Sequence, residues 1–158
     1  MKVYVDLPNH WAVGGESLWA LPLGSDTYEL SNVPFYAYDL NFLDVVEASA
    51  ASPDVKPVIR RVVRRSGHRT LRVIFRESTP KRDRVPLLKS LGELDAYFER
   101  ATRTLFAIDI EPQGDFQGVC DRLDAWERGD LLEYETCEAR VEGSFDESPE
   151  PPEENDVG

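Results

Sequence analysis

Residues 58–76 read VIRRVVRRSGHRTLRVIFR, and the assignment of this stretch fixes how the rest of the chain divides. Pairs of apolar and basic residues recurring every four fit a short helix between Pro57 and Gly67, whereas the β-branched side chains of Val58, Ile59, Val62 and Val63 favour a strand. Ser66-Gly67-His68 has the composition of a turn. Beyond it, Leu71-Arg72-Val73-Ile74-Phe75-Arg76 is a strand that sets Leu71, Val73 and Phe75 on one face. A strand over 58–65 folding back on 71–76 through that turn accounts for both halves, so strand is preferred for the first.

Toward the N-terminus the elements are short and broken by glycine and proline. Lys2-Val3-Tyr4-Val5-Asp6-Leu7 alternates and stops at Pro8-Asn9. Ser17–Leu23 and Thr27–Val33 flank Gly24-Ser25-Asp26 as a hairpin, and Phe42–Ala48 reads as a further strand with Asp44 and Glu47 near its ends. Five short strands in about 65 residues suggest a small barrel or a strongly bent sheet. Toward the C-terminus the rhythm changes. Lys81–Gly92 has helical spacing of Val85, Leu88 and Leu91; Leu94–Phe98 and Thr104–Ile110 read as strands. Asp115 caps a helix carrying Phe116, Val119, Cys120, Leu123 and Trp126 on one stripe and ending at Gly129; Leu131–Val141 returns to strand. From Leu71 onward this is the strand, helix, strand, strand, helix, strand order of a ferredoxin-like split βαβ unit. The last stretch, EGSFDESPEPPEENDVG, has few apolar side chains and no base, a composition that cannot offset the entropy of ordering. The expected fold class is α+β: a barrel-like or bent-sheet unit over residues 1–66, a ferredoxin-like unit over 67–141, and a disordered acidic tail over 142–158.

The 158 residues carry a net charge of −12, unevenly spread. Residues 56–84 hold eleven Lys and Arg against Glu77 and Asp83, while the segments on either side and the last seventeen residues are each acidic. The basic stretch is either a surface for an anionic partner or a solvated strand face paired with acids of neighbouring strands, and the second is the more general case for charge runs. A net charge of this sign repels duplex DNA and anionic membranes and attracts basic proteins. No apolar run approaches the roughly 18 residues that span a bilayer, and no export signal is recognisable. Cys120 and Cys137 are isolated, with only two histidines to supplement them. This spacing makes no zinc quartet and no disulfide framework, so a cytoplasmic protein with buried reduced thiols is expected.

Several separated blocks resemble one family. Trp19-Ala20-Leu21-Pro22-Leu23, Tyr28-Glu29-Leu30, Asn32–Tyr38, Asp44-Val45-Val46, Ser66–Val73, Ala107–Ile110 and Tyr134-Glu135 occur in the order found in the domain-of-unknown-function family 4265, uncharacterised and mostly bacterial proteins. The likeness spans roughly residues 16–138. Asp39 stands where that pattern leads one to expect glycine, and Leu132 where an aromatic residue is more usual. The resemblance implies a layout and no established activity.

Ser66, Gly67, His68, Arg69 and Arg72 form the most concentrated polar block: a turn with several N–H groups, one imidazole and two guanidinium groups able to meet phosphate or carboxylate. With Tyr36 and Tyr38, from an aromatic run that includes Phe35 and Phe42, they are the candidate ligand-binding residues. The competing reading makes the block a structural turn. Ser66 lacks the elbow motif of a serine nucleophile, and the carboxylate pairs Asp44/Glu47 and Glu133/Glu135 read more simply as exposed strand residues. No P-loop, dinucleotide fingerprint or metal-ligand spacing is present, and no cofactor is expected. The leading functional expectation is a non-enzymatic protein-binding module, of the immunity or antitoxin kind, that neutralises a basic toxin. The alternative is a nucleotide- or RNA-binding module using residues 60–84.

Overall fold

In a computed structural model, which describes residues 1–149, the chain is mixed α+β, with a closed five-stranded barrel and a second sheet that carries two helices. The barrel strands are β1 (Lys2–Asp6), β2 (Gly15–Gly24), β3 (Thr27–Leu30), β4 (Val45–Ser49) and β5 (Val58–Arg64). They pair as an antiparallel meander in sequence order, and the odd strand number makes the closing contact parallel, at Tyr4 and Val58. Alternation places Val3, Val5, Leu18, Ala20, Val46, Ala48 and Ile59 in the barrel core. Gly15 lies directly under the Tyr4 ring, and a Cβ there would overlap the phenol. The β2–β3 turn holds Gly24, Ser25 and Asp26 at positive φ, which accounts for its turn composition.

The second sheet comprises β6 (Arg69–Phe75), β7 (Ala96–Arg100), β8 (Leu105–Ile110) and β9 (Leu132–Thr136), antiparallel in the order β7-β8-β6-β9. Leu71, Val73 and Phe75 face α1 (Lys81–Lys89) and α2 (Phe116–Arg128), where Leu88, Val119 and Leu123 complete the core. Asp115 caps α2 by accepting the N–H of Gly118 at 2.9 Å. The first helix stops earlier than its periodicity suggests, and Ser90–Leu94 tightens into a 3₁₀ turn. None of the helices in the described residues is long and apolar enough to cross a membrane.

Two expectations need correction. Residues 58–64 are a strand, but they do not fold back on 69–75. β5 closes the barrel against β4 and β1, whereas β6 is a central strand of the other sheet. The turn at Ser66–His68 is therefore where the chain passes from one sheet to the other. The expected tail begins too early at Glu142: Phe145 packs on the barrel core, its carbonyl accepts the Tyr38 N–H at 2.9 Å, and buried Asp146 accepts the Asn9 N–H at 2.7 Å. One aromatic anchor and a few backbone-directed bonds suffice to dock a segment that its composition marks as unfolded. Residues 150–158, the rest of that expected tail, lie outside the described residues.

A candidate binding cleft at the barrel–sheet junction

The connection from β3 to β4 leaves the barrel and lies on the face of the second sheet away from the helices. Its middle, Pro34–Ala37, has no strand partner, so its backbone polar groups need side chains. Two charged residues supply them. Glu16, on the inward face of β2 and 7% exposed, accepts the N–H groups of Phe35, Tyr36 and Ala37 at 2.7, 3.0 and 2.9 Å. Arg72, on β6 and 3% exposed, donates to the carbonyls of Ala37 at 2.7 Å and Tyr36 at 3.2 Å, with a longer contact to Pro34. Its Nε donates to Glu135 on β9 at 3.0 Å, and its guanidinium lies over the Tyr38 ring. The Tyr38 hydroxyl is 2.9 Å from Glu135 and 3.0 Å from Glu147. Burial raises the Glu16 carboxyl above its ordinary range against the opposing pull of its three N–H donors, and burial together with Glu135 raises the Tyr38 phenol.

Beside this clamp opens a cleft of about 220 Å³. The β1–β2 loop contributes His10 and Trp11, the clamped connection contributes Phe35 and Tyr36, and the sheet contributes Ile74, Leu105, Glu133 and Glu135, with Arg72 below. His10 stacks on Trp11 with centroids 5.5 Å apart and meets Tyr36 edge-on. Its Nδ1 accepts the Ala12 N–H at 3.0 Å, which leaves the proton of the neutral ring on Nε2. Burial and then the nearby Arg72 lower the His10 pKa, favouring that neutral form at neutral pH. Trp11 is 73% exposed at the rim.

The expected site residues are not gathered in one place. Tyr36 and Arg72 reach the cleft and Tyr38 lies buried beneath the clamp, while Ser66, Gly67, His68 and Arg69 sit in the crossing between the sheets. There the Ser66 hydroxyl donates to the Phe42 carbonyl at 2.7 Å and accepts the His68 N–H, and the Ser66 N–H donates to buried Asp44 at 2.8 Å. Gly67 takes a φ of 91° against the Pro112 ring, a conformation that favours glycine. His68 Nδ1 lies 2.9 and 3.0 Å from the two oxygens of Asp109, whose pKa burial raises and His68 lowers. Arg69 turns to Glu138 and the Phe116 ring on the helix side, whereas Arg72 faces the barrel. Three-residue spacing in a regular strand separates them in this way. Replacing His68 with Ala should leave Asp109 buried without its partner and lower stability by about 2–3 kcal/mol, read from the urea midpoint at neutral pH.

His10, Trp11 and Glu16 escaped the reading of the sequence. Period-two alternation back from Leu18 and Ala20 puts Glu16 on the inward face of its strand, and a carboxylate there signals buried donors to be met. Trp11 offered a weaker signal, as a large aromatic in a loop between Pro8-Asn9 and Gly14-Gly15. Cys120 and Cys137 are free and buried, and burial pushes the Cys137 thiol up to about 12. Among the described residues no group of three or more His, Cys, Asp and Glu side chains is arranged to hold a metal ion.

These features define an α+β protein in which a small closed barrel is clamped by buried charges to a helix-backed sheet, with an aromatic cleft at the seam. Residues 16–134 match the family described as Domain of unknown function (DUF4265), and the chain belongs to that family. No curated protein matches the chain. Among solved structures it is similar to a hypothetical protein from Neisseria gonorrhoeae at 16% identity and a TM-score of 0.72, with 87% of this chain and 95% of that chain covered. At that identity the likeness concerns the fold.

Proposed function

We propose that this protein is a non-enzymatic module that binds a basic protein, in the manner of an immunity or antitoxin-like protein neutralising a basic toxin domain. The observation that carries this reading is the fate of the basic segment. Arg61 pairs with Glu47 at 3.0 Å, Arg65 with Asp39 at 2.9 Å, Arg69 with Glu138 at 3.1 Å, and Arg72 and Arg76 with Glu135 and Glu133 at 3.0 Å each. Buried Arg84 donates to the carbonyls of Arg76, Thr79 and Arg103. Arg72 and Arg84 are buried and engaged by the protein's own groups, and exposed Arg61, Arg65, Arg69 and Arg76 each stand beside an acid that offsets their charge. Much of the basic charge that RNA would need is thereby balanced, and the overall charge of −12 dominates the field a partner meets. Such a field accelerates encounter with a cationic surface.

The strand order β7-β8-β6-β9 supports a ferredoxin-like reading of the second unit. Two free thiols support a reducing, cytoplasmic setting.

Capture from the source cell at low salt should recover a basic protein. The association rate of that purified partner should fall about tenfold or more between low and physiological ionic strength. Recovery of RNA in place of protein would overturn the reading.

A further inference from the structure

Resting on that reading, we propose that the cleft between the β1–β2 loop and the second sheet receives an arginine side chain of the basic partner, stacked on Trp11 and paired with Glu133. Three features of the cleft select this occupant. Its volume of about 220 Å³ falls below the roughly 300–1,000 Å³ of pockets that enclose whole small molecules, so a single long side chain is the better match in size. Its rim offers an indole that is 73% exposed, backed on one face by the His10 ring. An aromatic face of this kind attracts cations, and a planar guanidinium stacks on it better than an ammonium does. Its apolar lining includes Ile74 and Leu105, which suits the methylene stem that carries such a head group.

The charged groups divide into those already committed and one that can exchange. Four of the five N–H groups of Arg72 are engaged by Glu135 and the carbonyls of Pro34, Tyr36 and Ala37, so it has little to offer an anion. Glu135 is shared among Arg72, Arg140 and Tyr38 and is likewise committed. Glu133 differs: its side chain is 61% exposed and its partner, Arg76 at 3.0 Å, is 44% exposed. An exposed ion pair of this kind contributes little. Exchanging Arg76 for an incoming guanidinium is therefore cheap, and the planar fork can meet both Glu133 oxygens while it stacks on Trp11.

Titrating the full chain with the blocked tripeptide acetyl-Gly-Arg-Gly-amide, followed by nuclear magnetic resonance, tests the site without the partner. The Trp11 indole N–H and the Glu133 amide should shift saturably, and the citrulline counterpart, which keeps the shape and loses the charge, should bind at least fivefold more weakly. Trp11→Ala and Glu133→Gln, both at exposed positions, should each weaken the arginine peptide at least fivefold with the remaining spectrum unchanged. Equal binding of the citrulline peptide, or shifts confined to other surfaces, would overturn the proposal. The wider reading fails separately. A basic partner that binds Trp11→Ala and Glu133→Gln as tightly as the parent chain refutes the cleft and leaves the module standing. Saturable arginine binding at Trp11 with RNA as the captured partner refutes the module and leaves the cleft's chemistry intact.

Discussion

Arg72→Ala should cost about 3–5 kcal/mol of folding stability. The guanidinium is 3% exposed and ties β6 to the β3–β4 connection, through the Tyr36 and Ala37 carbonyls and the Tyr38 ring, and to β9 through Glu135. Truncation leaves the two carbonyls without their donor and removes a cation from between Glu135 and a phenol already crowded by Glu147. Unmet buried acceptors cost more than the net contribution of the bonds themselves. Arg72→Lys should recover less than half of the loss, because an ammonium is a point charge and cannot reach the loop carbonyls and Glu135 from one plane. Urea unfolding followed separately by tryptophan fluorescence and far-ultraviolet circular dichroism reads both quantities. The two transitions should coincide in the parent chain and separate in Arg72→Ala as the barrel and the sheet lose their shared clamp. A loss below about 1 kcal/mol would show that the connection is held by its other contacts.

The parts of this arrangement that were legible in the sequence are those set by local period. Leu71, Val73 and Phe75 were placed together correctly, as were the apolar stripe and cap of α2 and the turn at Gly24–Asp26. The number and spacing of short strands pointed to a barrel or a bent sheet, and of the two the closed barrel is the one that forms. Partners were not legible, because they come from far along the chain. The acids that neutralise Arg69 and Arg72 lie 69 and 63 positions away, so no local count could show the basic run to be internally paired. The β5–β6 hairpin failed for the same reason: the turn chemistry at Ser66–His68 was read correctly, but a turn of that composition also suits a chain crossing from one sheet to another. Asp44 looked like an exposed strand end and is buried, accepting N–H groups from Asn41 and Ser66. Asp39 illustrates the reverse case. It occupies the left-handed region at a φ of 59°, where the family pattern suggested glycine, and Asp is among the residues that tolerate that conformation best.

Glu16 provides the second large effect and a test of sign. Glu16→Ala should lose about 3 kcal/mol or more at neutral pH, since three N–H groups of the Phe35–Ala37 segment lose their acceptor together. Glu16→Gln keeps one carbonyl oxygen but turns an NH₂ toward N–H donors, so it should cost less than alanine while removing the titration. Burial holds the folded-state pKa of Glu16 above its ordinary value of 4.5, despite the N–H donors that lower it. The folded state therefore binds the proton more tightly than the unfolded state does. The stabilisation linked to that proton is fully present below pH 4.5 and is lost as pH rises through the raised value. Gln cannot titrate, so the stability difference between the parent chain and Glu16→Gln should be largest in mild acid and shrink toward neutrality. Subtracting the two pH profiles removes the contribution of every other carboxylate that both proteins share. A difference that instead grows with pH would mean that the three N–H donors outweigh burial and that the clamp is built around a permanently charged carboxylate.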